Sequence, residues 1–121
     1  MGLDTFAARL KGKTVFLSDD DKDAFAKANF KLCHGMLAAE PWSFRGKVYN
    51  LLVAEITGKS LYQDYIPPRD VADMATKLGL LDVKSIADLS DRHSLSVDEI
   101  RDLIKFFAVC AERGLGLAGW W

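Results

Sequence analysis

Apolar residues recur along this chain mostly at intervals of three and four, the spacing that lines one face of a helix. The clearest stretch opens at Ser18. At about 100° per residue, Phe25, Ala28, Asn29, Leu32 and Met36 form one stripe, and Ala26, Phe30, Cys33 and Leu37 form a second beside it. Lys27, Lys31 and His34 take the remaining side, and Gly35 is the natural stop. The Ser18 hydroxyl can accept from an N-terminal amide, and Asp19, Asp20 and Asp21 sit where the helix dipole favours negative charge. The Asn29 amide, inside an apolar stripe, is expected to be buried and hydrogen-bonded, because an unpartnered one would carry a desolvation cost.

The same pattern predicts further helices. Asp4 can cap a short one that Gly12 ends, and Thr14 to Leu17 is the single extended apolar run, centred near Val15. A helix is expected from Phe44 to Thr57 with Phe44, Val48, Leu51, Leu52 and Ile56 inward and Gly58 as its stop. Ile66 precedes Pro67-Pro68 and is pushed toward an extended conformation, while Pro68 suits the first turn of a helix running through Leu78 to Gly79. Another helix follows from Val83 to Asp91. The last begins at Ser96, where Ser96 and Glu99 make a capping box, buries Ile100, Leu103, Ile104, Phe107, Cys110 and Ala111, and ends at Gly114.

These elements predict an all-α fold: one compact domain over residues 1–121, a bundle of five to seven helices with at most one short extended segment near Val15. Residues 114–121 form an uncharged tail with three glycines, expected to fold back on the core or to meet another chain. Half of the 121 residues are hydrophobic and 27% are charged, which fits a folded domain and not a disordered one. The net charge of −1 gives no general pull toward nucleic acid or anionic membrane. No uncharged apolar run approaches the ~20 residues of a membrane span, so a cytoplasmic protein that does not bind membrane is expected.

Candidate chemistry is sparse. Asp19-x-Asp21-x-Asp23 begins like a calcium loop, but Ala24 and Phe30 stand where such a loop needs glycine and a bidentate acid. Adjacent Cys33 and His34 diverge on a helix, so Cys33, His34, His93 and Cys110 make a poor zinc set. Both cysteines are read as small buried hydrophobes, which leaves a Cys110–His93 nucleophile pair with an inaccessible thiol. No metal, cofactor or catalytic residue is expected.

Residues 85–104, from Ser85 to Ile104, resemble a helix-turn-helix in spacing: a short helix, a polar turn at Ser94, and a second helix opening at Ser96. That resemblance implies a DNA-binding regulator with Arg92, Arg101 and Lys105 as its cations. The stretch nevertheless carries Asp88, Asp91, Asp98, Glu99 and Asp102 against two arginines, a poor match to a phosphate backbone. The preferred expectation is a small non-enzymatic protein that acts by protein–protein interaction or self-association, as an adaptor, inhibitor or regulatory accessory protein. Its expected contact residues are Tyr62 and Tyr65, in a proline-stiffened connection, and Trp120 and Trp121 in the tail. DNA binding is the alternative, and an enzyme without a recognisable motif is the second alternative.

Overall fold

Residues 4–11 hold the centre of a sheet instead of a helix. The structure, a computed structural model, describes residues 2–33 and 40–121. In chain order these form β1 (Asp4–Lys11), β2 (Thr14–Phe16), α1 (Asp19–Ala28), β3 (Ser43–Arg45), α2 (Gly46–Thr57), β4 (Tyr65–Ile66), α3 (Pro68–Gly79), α4 (Val83–His93), α5 (Val97–Arg113) and β5 (Gly116–Trp120). The fold is therefore α+β, and the all-α helical bundle is overturned by an antiparallel five-stranded sheet. One edge of β1 pairs with β5, from Asp4↔Trp120 to Ala8↔Gly116. Its other edge takes β3 at Asp4–Phe6 and β2 at Arg9–Lys11. On the far side of β5 lies β4, with Tyr65↔Ala118 and Ile66↔Leu117.

Asp-Thr-Phe-Ala-Ala-Arg-Leu-Lys is rich in good helix formers, but so short a helix is marginal alone. Pairing with β5 satisfies its backbone groups from the other end of the chain, and tertiary pairing overrides propensity. Gly12 ends β1 as predicted for a stop, but as the first residue of a two-residue hairpin turn, at φ 63°. The tail becomes an interior strand because Gly116 lets β5 pass beneath Tyr65. A Cβ there would lie 2.4 Å from both the Tyr65 hydroxyl and the Ile66 carbonyl oxygen.

Helix ends follow local chemistry more closely. Ser18 and Ser96 both form capping boxes, with Asp21 and Glu99. Gly58 and Gly114 are left-handed C-caps. Pro67 and Pro68 mark the start of α3. The predicted helix from Ser18 to Gly35 stops early, however, at Ala28. Asn29 is its left-handed C-cap, at φ 52°, and is exposed instead of buried in a stripe. Cys33 is exposed, also against expectation, whereas Cys110 is buried. The expected roles of His34, Gly35, Met36 and Leu37 lie outside the described residues. In α2 the buried face is Tyr49, Leu52 and Val53, and Leu51 is exposed. This helix starts at Gly46, pressed so closely on Leu3 and Thr5 that a Cβ would lie 2.2 Å from the Thr5 hydroxyl.

The helices cover one face of the sheet. Ala7, Ile66 and Leu117 join α3 and α5 in the core, where Val71, Met74, Leu78, Ile100, Leu103 and Phe107 are buried. An aromatic cluster closes one end: Phe106 meets Phe25 at 4.9 Å and Phe44 at 5.0 Å between ring centroids. The Tyr49 hydroxyl, in the same cluster, donates to Glu99 Oε2 (2.8 Å) and accepts from the Cys33 amide (2.8 Å). Burial holds this phenol well above its ordinary pKa, so it stays a donor.

Asp21 joins three elements. Its side chain has no exposed area and accepts from Arg9 Nε (2.8 Å), Arg9 Nη2 (3.0 Å), Arg113 Nε (2.8 Å) and the Ser18 amide (3.1 Å). The Arg9 hydrogen bonds, ahead of those from Arg113 and Ser18, hold its carboxyl far below the usual carboxylate range. A depressed folded pKa means that its stabilisation is complete above the unfolded value of about 3.9 and is lost as pH falls below that toward the folded value. Asp21→Asn should therefore cost about 3 kcal/mol in urea unfolding at pH 7, and the gap from the wild type should narrow at pH 3. An equal gap at both pH values would contradict this assignment. Deleting residues 116–121 strips an interior strand from between β1 and β4, and cooperative thermal unfolding should disappear.

Candidate functional site

Because β1 and β5 alternate, residues whose side chains leave the helical core converge on the opposite sheet face. Register places Phe6 beside Ala118 and Ala8 beside Gly116, with Tyr65 across from Ala118. Trp120 packs edge-on against Phe6, with ring centroids 6.3 Å apart, yet remains 64% exposed. Beyond the hairpin, Val15 on β2 joins its partner Leu10 on this face, and both are exposed; Phe16, paired with Arg9 and so of the opposite parity, is exposed as well. Trp120 and Val15 keep about half or more of their surface exposed, so large apolar side chains of this face remain in water.

The middle of the face is concave. A groove of about 360 Å³ is lined by Phe6, Ala7, Ala8, Val15, Phe16, Leu17, Lys22, Trp42, Ala118 and Trp120. Nine of these are apolar and one, Lys22, is charged. The Lys22 ammonium lies 5.4 Å from the centre of the Trp42 ring, a cation–π contact at the groove rim. Size and lining fall in the range of binding clefts, which run to roughly 300–1,000 Å³.

The four contact residues expected from sequence are divided by the structure. Trp120 lies on the outer face with Phe6, while Trp121 packs edge-on against Tyr62 at 5.8 Å. Tyr65 is half-buried and donates its hydroxyl to the Ala8 carbonyl (3.2 Å), bracing the sheet from outside. Desolvation raises its pKa, and the nearby Arg9 partly opposes that shift. Sequence reasoning missed Phe6, Val15, Phe16, Lys22 and Trp42 as neighbours of Trp120. The alternation of Phe6, Ala8 and Leu10 was the available signal, and it was masked by reading residues 4–12 as a helix.

The helix-turn-helix-like segment forms α4 and α5 joined through Ser94, a left-handed residue at φ 55°. Its cations are not equivalent. Arg92 donates to both Glu55 oxygens (2.8 and 2.6 Å) and to Asp88 (2.8 Å), while Arg101 and Lys105 are exposed. Glu55 also meets His93 Nε2 at 3.1 Å, and Arg92 first, then His93, draws the Glu55 carboxyl down to about 2. Asp102 on α5 accepts from the Lys31 amide (2.7 Å).

Other expected chemistry is absorbed into the fold. The central acid of the Asp19-Asp21-Asp23 run is held by two arginines. The Cys110 thiol is buried and its pKa pushed far up by desolvation, so it is no nucleophile. Among the described residues, no three His, Cys, Asp or Glu side chains are placed to hold a metal ion, and no helix is long and apolar enough to cross a membrane. No protein-family model, curated protein or solved structure matches the chain.

The two faces of β5 should respond differently to substitution. Leu117 is buried, and Leu117→Ala should cost about 2–5 kcal/mol in urea unfolding. Trp120→Ser, which loses mainly one edge contact, should cost about 1 kcal/mol. Comparable losses at both positions would mean that Trp120 is covered in the native protein.

Proposed function

We propose that this protein acts by binding another protein through the outer face of its sheet, as an adaptor, inhibitor or regulatory accessory subunit. The observation that carries the reading is the clustering of half-exposed Val15, Phe16 and Trp120 around one apolar groove. Scattered surface apolar residues are ordinary, but large ones rimming a concavity mark interaction sites. Aromatic residues are also the side chains most enriched at energetic centres of interfaces. An intracellular, cytoplasmic setting suits the unpaired Cys33 and Cys110.

A DNA-binding regulator ranks below this reading. Arg92 is already committed to two carboxylates, and α5 opens with Asp98 and Glu99 in its first turn. An enzyme ranks lower still, since the groove brings no acid, base or nucleophile beside Lys22.

The double variant Phe16→Asp, Trp120→Asp tests the proposal. Circular dichroism should stay native-like and melting cooperative, lowered by several degrees, because both side chains are only partly covered. Cross-linking capture from the native host, followed by titration of the purified partner, should show at least a hundredfold weaker binding for the variant. Unchanged partner affinity in a folded variant would remove the outer face from the function.

A further inference from the structure

Resting on that interaction reading, the geometry points to a specific kind of occupant. We propose that the groove takes an extended segment of a partner protein, paired along the free edge of β2, with an apolar side chain in the groove and a neighbouring Asp or Glu on Lys22.

Three observations converge on this chemistry. Among the described residues β2 pairs only with β1, at the end of the strand order, and all three of its residues are exposed. Its outward edge can therefore accept another strand by main-chain hydrogen bonding. With only three residues, that edge gives few hydrogen bonds, so side-chain recognition must contribute the rest. The groove lies against this strand, with Val15, Phe16, Phe6, Trp42 and Trp120 forming apolar walls for a side chain.

Charge completes the description. Lys22 is the one charged group in the lining and forms no ion pair among the described residues, although Asp19, Asp20 and Asp23 lie on its own helix. Low-polarity walls beside the ammonium strengthen its attraction for an incoming carboxylate. Lys11 and Lys13, at the hairpin tip, are likewise exposed and outside those ion pairs. As the one charged group of the lining, Lys22 favours an acidic side chain in the occupant of the groove, and a second copy, which would bring another Lys22 ammonium to the same apolar walls, is disfavoured. The strand edge also favours a peptide over an amphiphilic small molecule such as a fatty acid, which has no backbone to pair with it.

Selection of random twelve-residue peptides on phage against the folded full chain tests this directly. Enriched peptides should place Asp or Glu beside a large aliphatic or aromatic residue. As synthetic peptides they should bind at least tenfold more weakly to Lys22→Glu, and a peptide with its acid changed to Lys should recover affinity for that variant. N-methylation of the backbone amides that face β2 should weaken binding by a similar factor. Lys22 lies on the helix surface, and thermal melting checks that the charge swap leaves the fold intact. No enrichment, enrichment without an acid, indifference to Lys22→Glu or to N-methylation, or displacement of the peptides by sodium dodecanoate acting as the tighter ligand would each overturn the proposal. If Phe16→Asp, Trp120→Asp abolishes partner binding while Lys22→Glu leaves it intact, this inference falls and the interaction reading stands. If neither variant affects the partner, both fall.

Discussion

The Asp21 carboxylate holds together parts of the chain that no local pattern would bring near one another. Four hydrogen bonds reach it: two from Arg9 on β1, one from Arg113 at the end of α5, and one from the Ser18 amide that begins α1. Arg9 also donates to the Arg113 carbonyl oxygen, satisfying an acceptor at the C-terminal end of α5. The chain then turns at Gly114 and enters the sheet as β5, immediately beside β1. Where α5 ends relative to β1 thus determines the register in which β5 can pair. A buried carboxylate is costly in isolation, but here each oxygen has two donors and the charge is matched by two guanidinium groups. The arrangement gives β1, α1 and α5 one fixed meeting point.

What could be read from the sequence divides according to the range of the forces involved. Ser18, Ser96, Gly58, Gly114 and Pro68 act within a turn of chain, and their helix boundaries are legible because capping needs only neighbouring backbone. Val15 and Ile66 are likewise recognisable as extended. Asp4–Lys11 and Gly116–Trp120 are not, because each becomes a strand through the other, across more than a hundred residues. Asn29 fails differently. Its place in an apolar stripe presupposed a helix that continues, whereas asparagine's tolerance of left-handed backbone lets the helix end there.

The candidate face shares this limitation. Trp120 is legible as a candidate contact residue, but its neighbours come from β1, β2, α1 and the segment before β3. Only the sheet assembles Phe6, Phe16, Lys22 and Trp42 around it. Tyr65 illustrates the opposite error: an aromatic in a proline-rich connection suggests a contact surface, yet its ring covers Gly116 and its hydroxyl closes on β1. Side-chain type alone does not separate a residue that braces the sheet from one that faces an incoming chain, and strand parity does not either, since both rings share the outer face; the contacts each ring makes on that face decide it.

The interior position of β5 carries a consequence for the order of events during synthesis. Residues 4–8 emerge long before their principal strand partner, residues 116–120, which lies more than a hundred residues further along the chain. Until residues 116–120 arrive, one long edge of β1 has no mate, and the hairpin it forms with β2 must wait in an incomplete sheet. Helices α2 to α5 can form from local contacts in the meantime, so sheet closure becomes a late, long-range step. During that interval the unpaired edge of β1 and the apolar residues around it are available to chaperones or to other nascent chains, and the speed with which β5 inserts sets how long that exposure lasts.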